Sequence, residues 1–332
     1  MEHKMLRYWM LVLVVWGTSF DVTADDSTPV RVGMAWQPNE AAYERVIMSV
    51  KAVGGEAVIL PQMRPDGFEY DDMALSEKYV DEMGVLKQEF ADAVKRETYH
   101  GTEADSLMQG VQAVVFLGGG DISPTLFAVP QPWHGILDDS PANATRDVSE
   151  YLTMAYCLDH DIPVLGLCRG MQMLGVVSGA PLIQDLGKYF DEMGVSYNYL
   201  HREQRDADGN RHYTPHDVIV TDRNSPLYSI AQRDTVLDVP SWHHQVVGTV
   251  EDTPLRVTGV APTDGVDIIE AIERTDKTFV LGVQFHPEEA VRKHIDGQDD
   301  ASRFMPLDEA VAYFKMLIKA AENRAAREKS EN

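Results

Sequence analysis

Cysteine is nearly absent from this chain of 332 residues, with only Cys157 and Cys168 present. Two thiols are too few for a disulfide scaffold or a thiolate zinc site, so any cysteine chemistry rests on one residue. An excess of positive charge is missing too. Against 53 acidic residues stand 29 basic ones, a formal charge of −24, which repels phosphate backbones rather than releasing counterions from them. Nucleic acid is therefore excluded as an expected partner. No internal repeat, low-complexity tract or linker rich in Pro, Gly or Ser divides the chain. What is present, 44% hydrophobic and 25% charged residues, suffices to bury a sizeable core.

The first residues read as a processing segment. Lys4 and Arg7 precede an apolar run, Tyr8 to Trp16, and the chain then turns small and polar before Val22-Thr23-Ala24. Charged start, apolar middle and small-residue end occur in the order of a secretory signal peptide over residues 1–24. The run is about nine residues long, whereas a spanning helix needs roughly 20, so no membrane anchor is expected after cleavage. A frayed apolar strand is the bland alternative. The expectation is an exported, periplasmic protein with a single domain over residues 25–332.

Beyond that segment, short apolar runs alternate with amphipathic stretches. Val30 to Trp36 reads as a strand, Glu40 to Val53 as a helix ending at Gly54-Gly55, and Glu56 to Pro61 as a second strand. Ala113 to Leu117 is a buried strand running into three glycines. Ser140 is expected to cap a helix over Ala142 to Leu158, and Pro163 to Leu167 forms the next strand. This βαβ alternation predicts an α/β fold with a doubly wound, mostly parallel sheet flanked by helices. A helix over Arg169 to Ser178 leads to an irregular stretch, Gln184 to Pro215. Shorter strands follow at Asp217 to Val220, Leu255 to Val260 and Ile268 to Glu273, then a core strand at Phe279 to Phe285 and a terminal helix at Pro306 to Arg327. Residues 63–112 exceed a normal connection. Tyr79, Val80, Met83, Leu86, Phe90 and Val94 recur there at helical spacing, so the spacing predicts a helical insertion, either a lid or a patch on the sheet face.

The chemistry concentrates where strand Pro163 to Leu167 meets Gly166-Leu-Cys168-Arg-Gly170 and passes directly into a helix. This is the layout of a nucleophile elbow with cysteine in place of serine. Glycines on either side permit the sharp turn, and the helix N-terminus favours a thiolate. A buried structural cysteine is the competing reading, and it is the expected role of Cys157. Gly282-Val-Gln-Phe-His286-Pro-Glu288 supplies a base and an orienting acid. In an extended chain residues two apart share a face, and Pro287 is expected to hold the backbone extended there. Cys168, His286 and Glu288 thus form a candidate triad. Gly118-Gly119-Gly120-Asp121 at a strand end fits an oxyanion hole, a tight turn or a phosphate cradle, although the Lys of a P-loop is missing. His201, His212 and His216 show no ligand spacing and read as surface or pocket-rim histidines.

Together these residues resemble the class I glutamine amidotransferase-like superfamily and, within it, the peptidase C26, gamma-glutamyl-gamma-aminobutyrate hydrolase type. The resemblance rests on Gly118-Gly-Gly-Asp-Ile-Ser-Pro124, Arg146-Asp147 with Glu150, and Gly166-Leu-Cys-Arg-Gly-Met-Gln172. It extends to Gln184-Asp185, Ser241-Trp-His-His-Gln245, Asp264-Gly265 before Ile269-Glu-Ala271, and Gly282 to Glu288. The resemblance implies a flavodoxin-like fold, Cys168 as nucleophile, His286 as base and Glu288 as its orienter. It implies an oxyanion hole from the Gly119 and Arg169 N–H groups, and substrate contacts from Gln172, His243 and Gln245. The implied activity is hydrolysis of γ-glutamyl amide bonds of small molecules through a thioester, with no metal or organic cofactor. A glutaminase-type amidotransferase subunit and a non-catalytic binding protein are the alternatives on the same fold, and self-association stays open. The chain departs from the family pattern at Gly175, Ala180, Pro181 and Pro240, which spare the triad. If residues 1–24 are a leader, native protein begins at Asp25, and the mass of the intact chain recovered outside the cytoplasm checks this; retention of Met1 to Ala24 would refute it.

Overall fold

The computed structural model describes residues 28–135 and 142–331, so the expected leader and the Ser140 cap lie outside the described residues. The chain opens with β1 (Arg31–Met34), α1 (Tyr43–Ala52) and β2 (Glu56–Ile59). A small hairpin, β3 (Tyr70–Asp71) and β4 (Ala74–Leu75), precedes α2 (Gln88–Glu97), α3 (Ala104–Leu107) and β5 (Ala113–Phe116). Then come α4 (Ala144–Asp159), β6 (Val164–Leu167), α5 (Arg169–Val177), β7 (Leu182–Ile183) and α6 (Leu186–Glu192). The later part comprises β8 (Thr214–Val220), α7 (Pro226–Ala231), β9 (Thr235–Ser241), β10 (Val246–Val247), β11 (Leu255–Thr263) and β12 (Val266–Arg274). It closes with β13 (Val280–Val283), α8 (Pro287–Ile295) and α9 (Leu307–Glu331).

Nine strands form one mixed sheet in the order β2-β1-β5-β6-β13-β12-β11-β8-β9. Pairings from β2 to β13 are parallel, and those from β13 to β9 are antiparallel. Strands β5, β6 and β13 are buried along their whole length. Their unbroken apolar runs follow from helices covering both faces. Val148, Leu152, Met171 and Leu174 from α4 and α5 fill one face. Val50, Val291, Tyr313 and Phe314 from α1, α8 and α9 fill the other.

The expected α/β architecture and its parallel half are therefore present, and three details differ. Helix α4 is capped by Asn143, whose side chain accepts from the Arg146 N–H at 3.0 Å. The stretch from Gln184 is not all irregular, because Asp185 caps α6 by accepting from the Lys188 N–H. The insertion is also less helical than its spacing predicts. Tyr79 ends a single 3-10 turn and Val80 bridges to Leu86, leaving only Phe90 and Val94 of that apolar set on a helix. These residues pack in a loop because Tyr79 stacks on Phe68 and meets Phe90 edge-on.

The insertion patches the fold rather than hovering over it. Leu75, Tyr79, Leu86, Ala91 and Val94 share one buried cluster with Phe116 and Leu152. Backbone N–H groups of Met63 and Leu75 donate to Ser149 and Thr145 of α4. Replacing the fully buried Leu86 by Ala is expected to lower unfolding free energy by about 2–5 kcal/mol in urea melts. A loss below about 0.5 kcal/mol, the range of ordinary surface changes, would show that the insertion does not belong to the core.

Candidate active site

Strand β6 lies between β5 and β13, with Phe116 paired to Gly166 and Gly166 to Gly282. The three motifs thus end at one carboxyl edge of the sheet, where open α/β folds place their ligands. Cys168 caps α5 at φ +49°, ψ −104°, a conformation that non-glycine residues rarely adopt. The turn is tight enough that a Cβ on Gly166 would come within 2.7 Å of the Gly170 backbone. A Cβ on Gly170 would come within 2.4 Å of the Phe116 carbonyl oxygen. Glycine is required at both positions by contact, and the thiol is pushed to the edge.

His286 follows β13 and lines the same cavity as that thiol, whose own hydrogen bond goes to the Trp242 carbonyl at 3.9 Å. Its Nδ1 lies 2.7 Å from Glu288 Oε1, so the expected pairing is present on a different backbone. His286 is the cap of α8, and Pro287 and Glu288 form its first turn. Pro287 starts a helix here instead of extending a strand, since its fixed φ suits a first helical position. Gly118 makes room for the ring, because a Cβ there would meet His286 Cε1 at 2.7 Å. Burial opposes the charged imidazole, but the Tyr213 hydroxyl, the Glu288 carboxylate and the Cys168 thiol together hold its pKa well above the ordinary histidine value. Burial pushes the thiol pKa of Cys157 strongly upward, and that residue sits in the core as expected.

Behind the elbow lies a buried charge network from α4. Arg169 pairs with Asp147 and Glu150, while Arg146 Nε reaches Glu150 Oε1 at 2.8 Å. Asp147 also accepts from the Ser123 N–H and hydroxyl. Two guanidinium groups thus meet two carboxylates, the condition under which charge survives burial. Arg146 Nη2 further donates to the Leu117 and Gly118 carbonyls at 3.1 and 3.0 Å. A trans peptide points its C=O and N–H in opposite directions, so fixing Gly118 C=O on Arg146 turns the Gly119 N–H away from the network. Gly119 lines both cavities at Cys168, and the Arg169 N–H opens α5 one residue after the thiol. Both expected oxyanion donors are therefore beside Cys168.

Cys168 separates two spaces. A narrow polar cleft is bounded by Gly120, Asp121, Gln172, Trp242, His244 and Gln245. A cavity of about 380 Å³ lies on the side of His286, walled by Asn39, Arg45, Tyr213 and Trp242. In the cleft Gln172 Nε2 donates to the Gln245 carbonyl at 2.9 Å. The Gln245 amide itself is buried with neither its nitrogen nor its oxygen bonded to protein. His243 also borders the cleft, but its Nε2 turns to Glu270 at 3.2 Å. Sequence reasoning missed His244, held between Asp121 at 2.9 Å and Asp185 at 3.0 Å. Its signal was the meeting of the Gly-Gly-Gly-Asp, Gln-Asp and His-His-Gln motifs. The rim reading fails for His201 and His216, which are buried against Glu270, because β8 carries His216 inward and the turn after α6 brings His201 to the same place. His212 alone of the three stays on the surface.

The sequence pattern of the Peptidase C26 family matches residues 91–288, a span that includes Cys168, His286 and Glu288. The chain belongs to that family. This C26 chain is 33% identical to protein NtpR of Enterococcus hirae over 186 residues, 56% of the chain and 70% of NtpR. It is 28% identical over 151 residues to the gamma-glutamyl-gamma-aminobutyrate hydrolase PuuD of Escherichia coli, 46% of the chain and 56% of PuuD. It thus spans little more than half of that hydrolase. A solved glutamine amidotransferase of Thermotoga maritima aligns with 90% of the C26 chain and 98% of its own at 15% identity, with a TM-score of 0.44.

Two outcomes follow for the C26 site. Iodoacetamide at neutral pH is expected to label Cys168 and spare Cys157, read by peptide mass. Because a negative partner raises the His286 pKa, Glu288→Gln should lower it, so that the imidazolium loses its proton at lower pH than in the parent. Ring-proton NMR titration checks this, and an unchanged pKa would remove Glu288 from the site.

Proposed function

We propose that this cysteine hydrolase cleaves γ-glutamyl amides of small molecules, releasing glutamate and an amine. The observation that carries this reading is the position of Cys168 between a narrow polar cleft and a wider cavity, with His286 on the wider side. The glutamyl half would occupy the cleft, where the unbonded Gln245 amide offers a donor and an acceptor. The amine half would occupy the cavity beside Tyr213 and Trp242.

The chemistry is that of a thiolate with a protonated neighbour. Cys168 sulfur attacks the γ-carbonyl carbon, and the oxyanion accepts from the Gly119 and Arg169 N–H groups. The C–N bond then breaks as the imidazolium of His286 gives its proton to the departing nitrogen. Water, deprotonated by His286, attacks the thioester, and the C–S bond breaks to return the thiol and free glutamate. The raised pKa of His286 favours the charged ring, which suits the first proton transfer.

The isolated reduced chain should release glutamate from a panel of γ-glutamyl amides without a partner protein or ATP. Cys168→Ala should abolish this, a loss of about four orders of magnitude or more, while Cys157→Ser keeps most of it. Glu288→Gln should slow turnover without eliminating it. No turnover of any panel member while Cys168 still labels would favour a partner-dependent amidotransferase subunit or a binding protein.

A further inference from the structure

His201, His216, His243 and Glu270 come from four separated places in the chain and meet in one buried spot behind the cleft. His201 lies after α6, His216 on β8, His243 just past β9 and Glu270 on β12. All four are buried, and one ligand atom from each lies within 4.8 Å of the others. Glu270 Oε1 is 2.9 Å from His201 Nδ1 and 3.2 Å from His243 Nε2, and Glu270 Oε2 is 3.9 Å from His216 Nε2. None of these inward atoms has a hydrogen-bonding geometry with any partner.

The outward ring nitrogens decide what the inward ones carry. His216 Nδ1 and His243 Nδ1 each lie 3.1 Å from a backbone carbonyl, those of Asp217 and Gln245. A carbonyl only accepts, so both nitrogens bear the proton. His201 Nε2 is 2.7 Å from the Thr263 hydroxyl, whose own proton goes to the Ala261 carbonyl at 3.1 Å. That nitrogen is a donor as well. In the neutral rings, three inward lone pairs therefore converge on a carboxylate. Protonating one ring would pair it with Glu270 and leave two lone pairs facing that anion. Protonating all three would bury three cations against one anion, which costs more than burial allows.

We propose that these four side chains bind one divalent metal ion of the zinc type. Three imidazoles and one carboxylate form a nitrogen-rich set that suits zinc and not magnesium or calcium, which prefer oxygen. Each ring's outer N–H on a carbonyl or hydroxyl is the support that metal-bound histidines characteristically have. With bonds of about 2.0 Å, tetrahedral ligand atoms stand roughly 3.3 Å apart, so closure on the ion needs shifts of about an ångström. The ion would be structural and enclosed. It would fasten the wall of the cleft: His243 precedes the His244-Gln245 pair, and its N–H donates to the His201 carbonyl at 2.9 Å. On the other side, the Glu270 carbonyl accepts from the Gln284 N–H at 2.8 Å, and Gln284 Oε1 accepts from Gln172.

The test uses the full chain stripped of metal with dipicolinate and titrated with Co²⁺ and then Zn²⁺. One ion per chain should bind, with the intense visible bands of tetrahedral Co²⁺, displacement by Zn²⁺ and a rise in Tm. His216→Ala and Glu270→Gln should lose both the bands and the Tm shift, and Cys168→Ala should keep both. The wild-type titration decides even where a variant does not fold. Folded wild-type protein that takes up neither ion and shows no Tm shift overturns the proposal. So does binding that is lost in Cys168→Ala and retained in His216→Ala, which would place the ion on the catalytic thiol.

Discussion

The backbone of Cys168 is the constraint on which the site rests. A cysteine at φ +49° costs on the order of 1–3 kcal/mol and persists only where the surroundings over-determine it. Here the surroundings are steric first. β6 and α5 approach each other so closely that Gly166 and Gly170 have no space for a side chain. The Cys168 N–H also donates to the Val283 carbonyl at 2.8 Å, so the turn is tied to the strand that delivers His286. Thiol and imidazole are thus located by one sheet, and the position of each fixes the other.

The buried quartet of Arg146, Asp147, Glu150 and Arg169 does for the Gly118–Gly119 turn what the sheet does for the thiol. It binds the helix before the elbow to the helix after it, and it holds the Gly118 peptide in one orientation. Removing one member of such a network leaves an uncompensated charge and costs about 3–5 kcal/mol. Its chemical role is indirect, since none of the four side chains needs to touch substrate. The mixed sheet carries a division of labour: the parallel half presents thiol, imidazole and the glycine turn after β5, and the antiparallel half supplies the walls.

Legibility of the sequence followed the range of the interactions. The elbow was readable because glycine, cysteine and glycine act within five consecutive residues, and the parallel strands because burial on both faces leaves unbroken apolar runs. His286 and Glu288 were paired correctly for the wrong backbone, since a helix start brings residues two apart together as well as a strand does. The insertion misled because Tyr79 and Leu86 satisfy a helical period while packing from a loop stapled by aromatic contacts. Least visible was the cluster around Glu270, whose members come from two strands, β8 and β12, and from two loops that no local pattern brings together. The cap of α4 was assigned to Ser140, while Asn143 performs that task nearer the helix.

The pairing of Val164 with Val280 has a consequence for how the molecule comes into being. Strands β6 and β13 are neighbours in space but lie far apart in the chain, so the loop between them must close before their contacts repay its entropy. Most of the antiparallel half belongs to that loop. A growing chain that has emerged only as far as the elbow has a cysteine without its imidazole and a central strand with one edge bare. Folding of such long-range parallel topology is intrinsically slow. The thiol therefore acquires its chemical partner late, once the C-terminal strand has been inserted, and a chain truncated before β13 would be left with an open sheet edge prone to association.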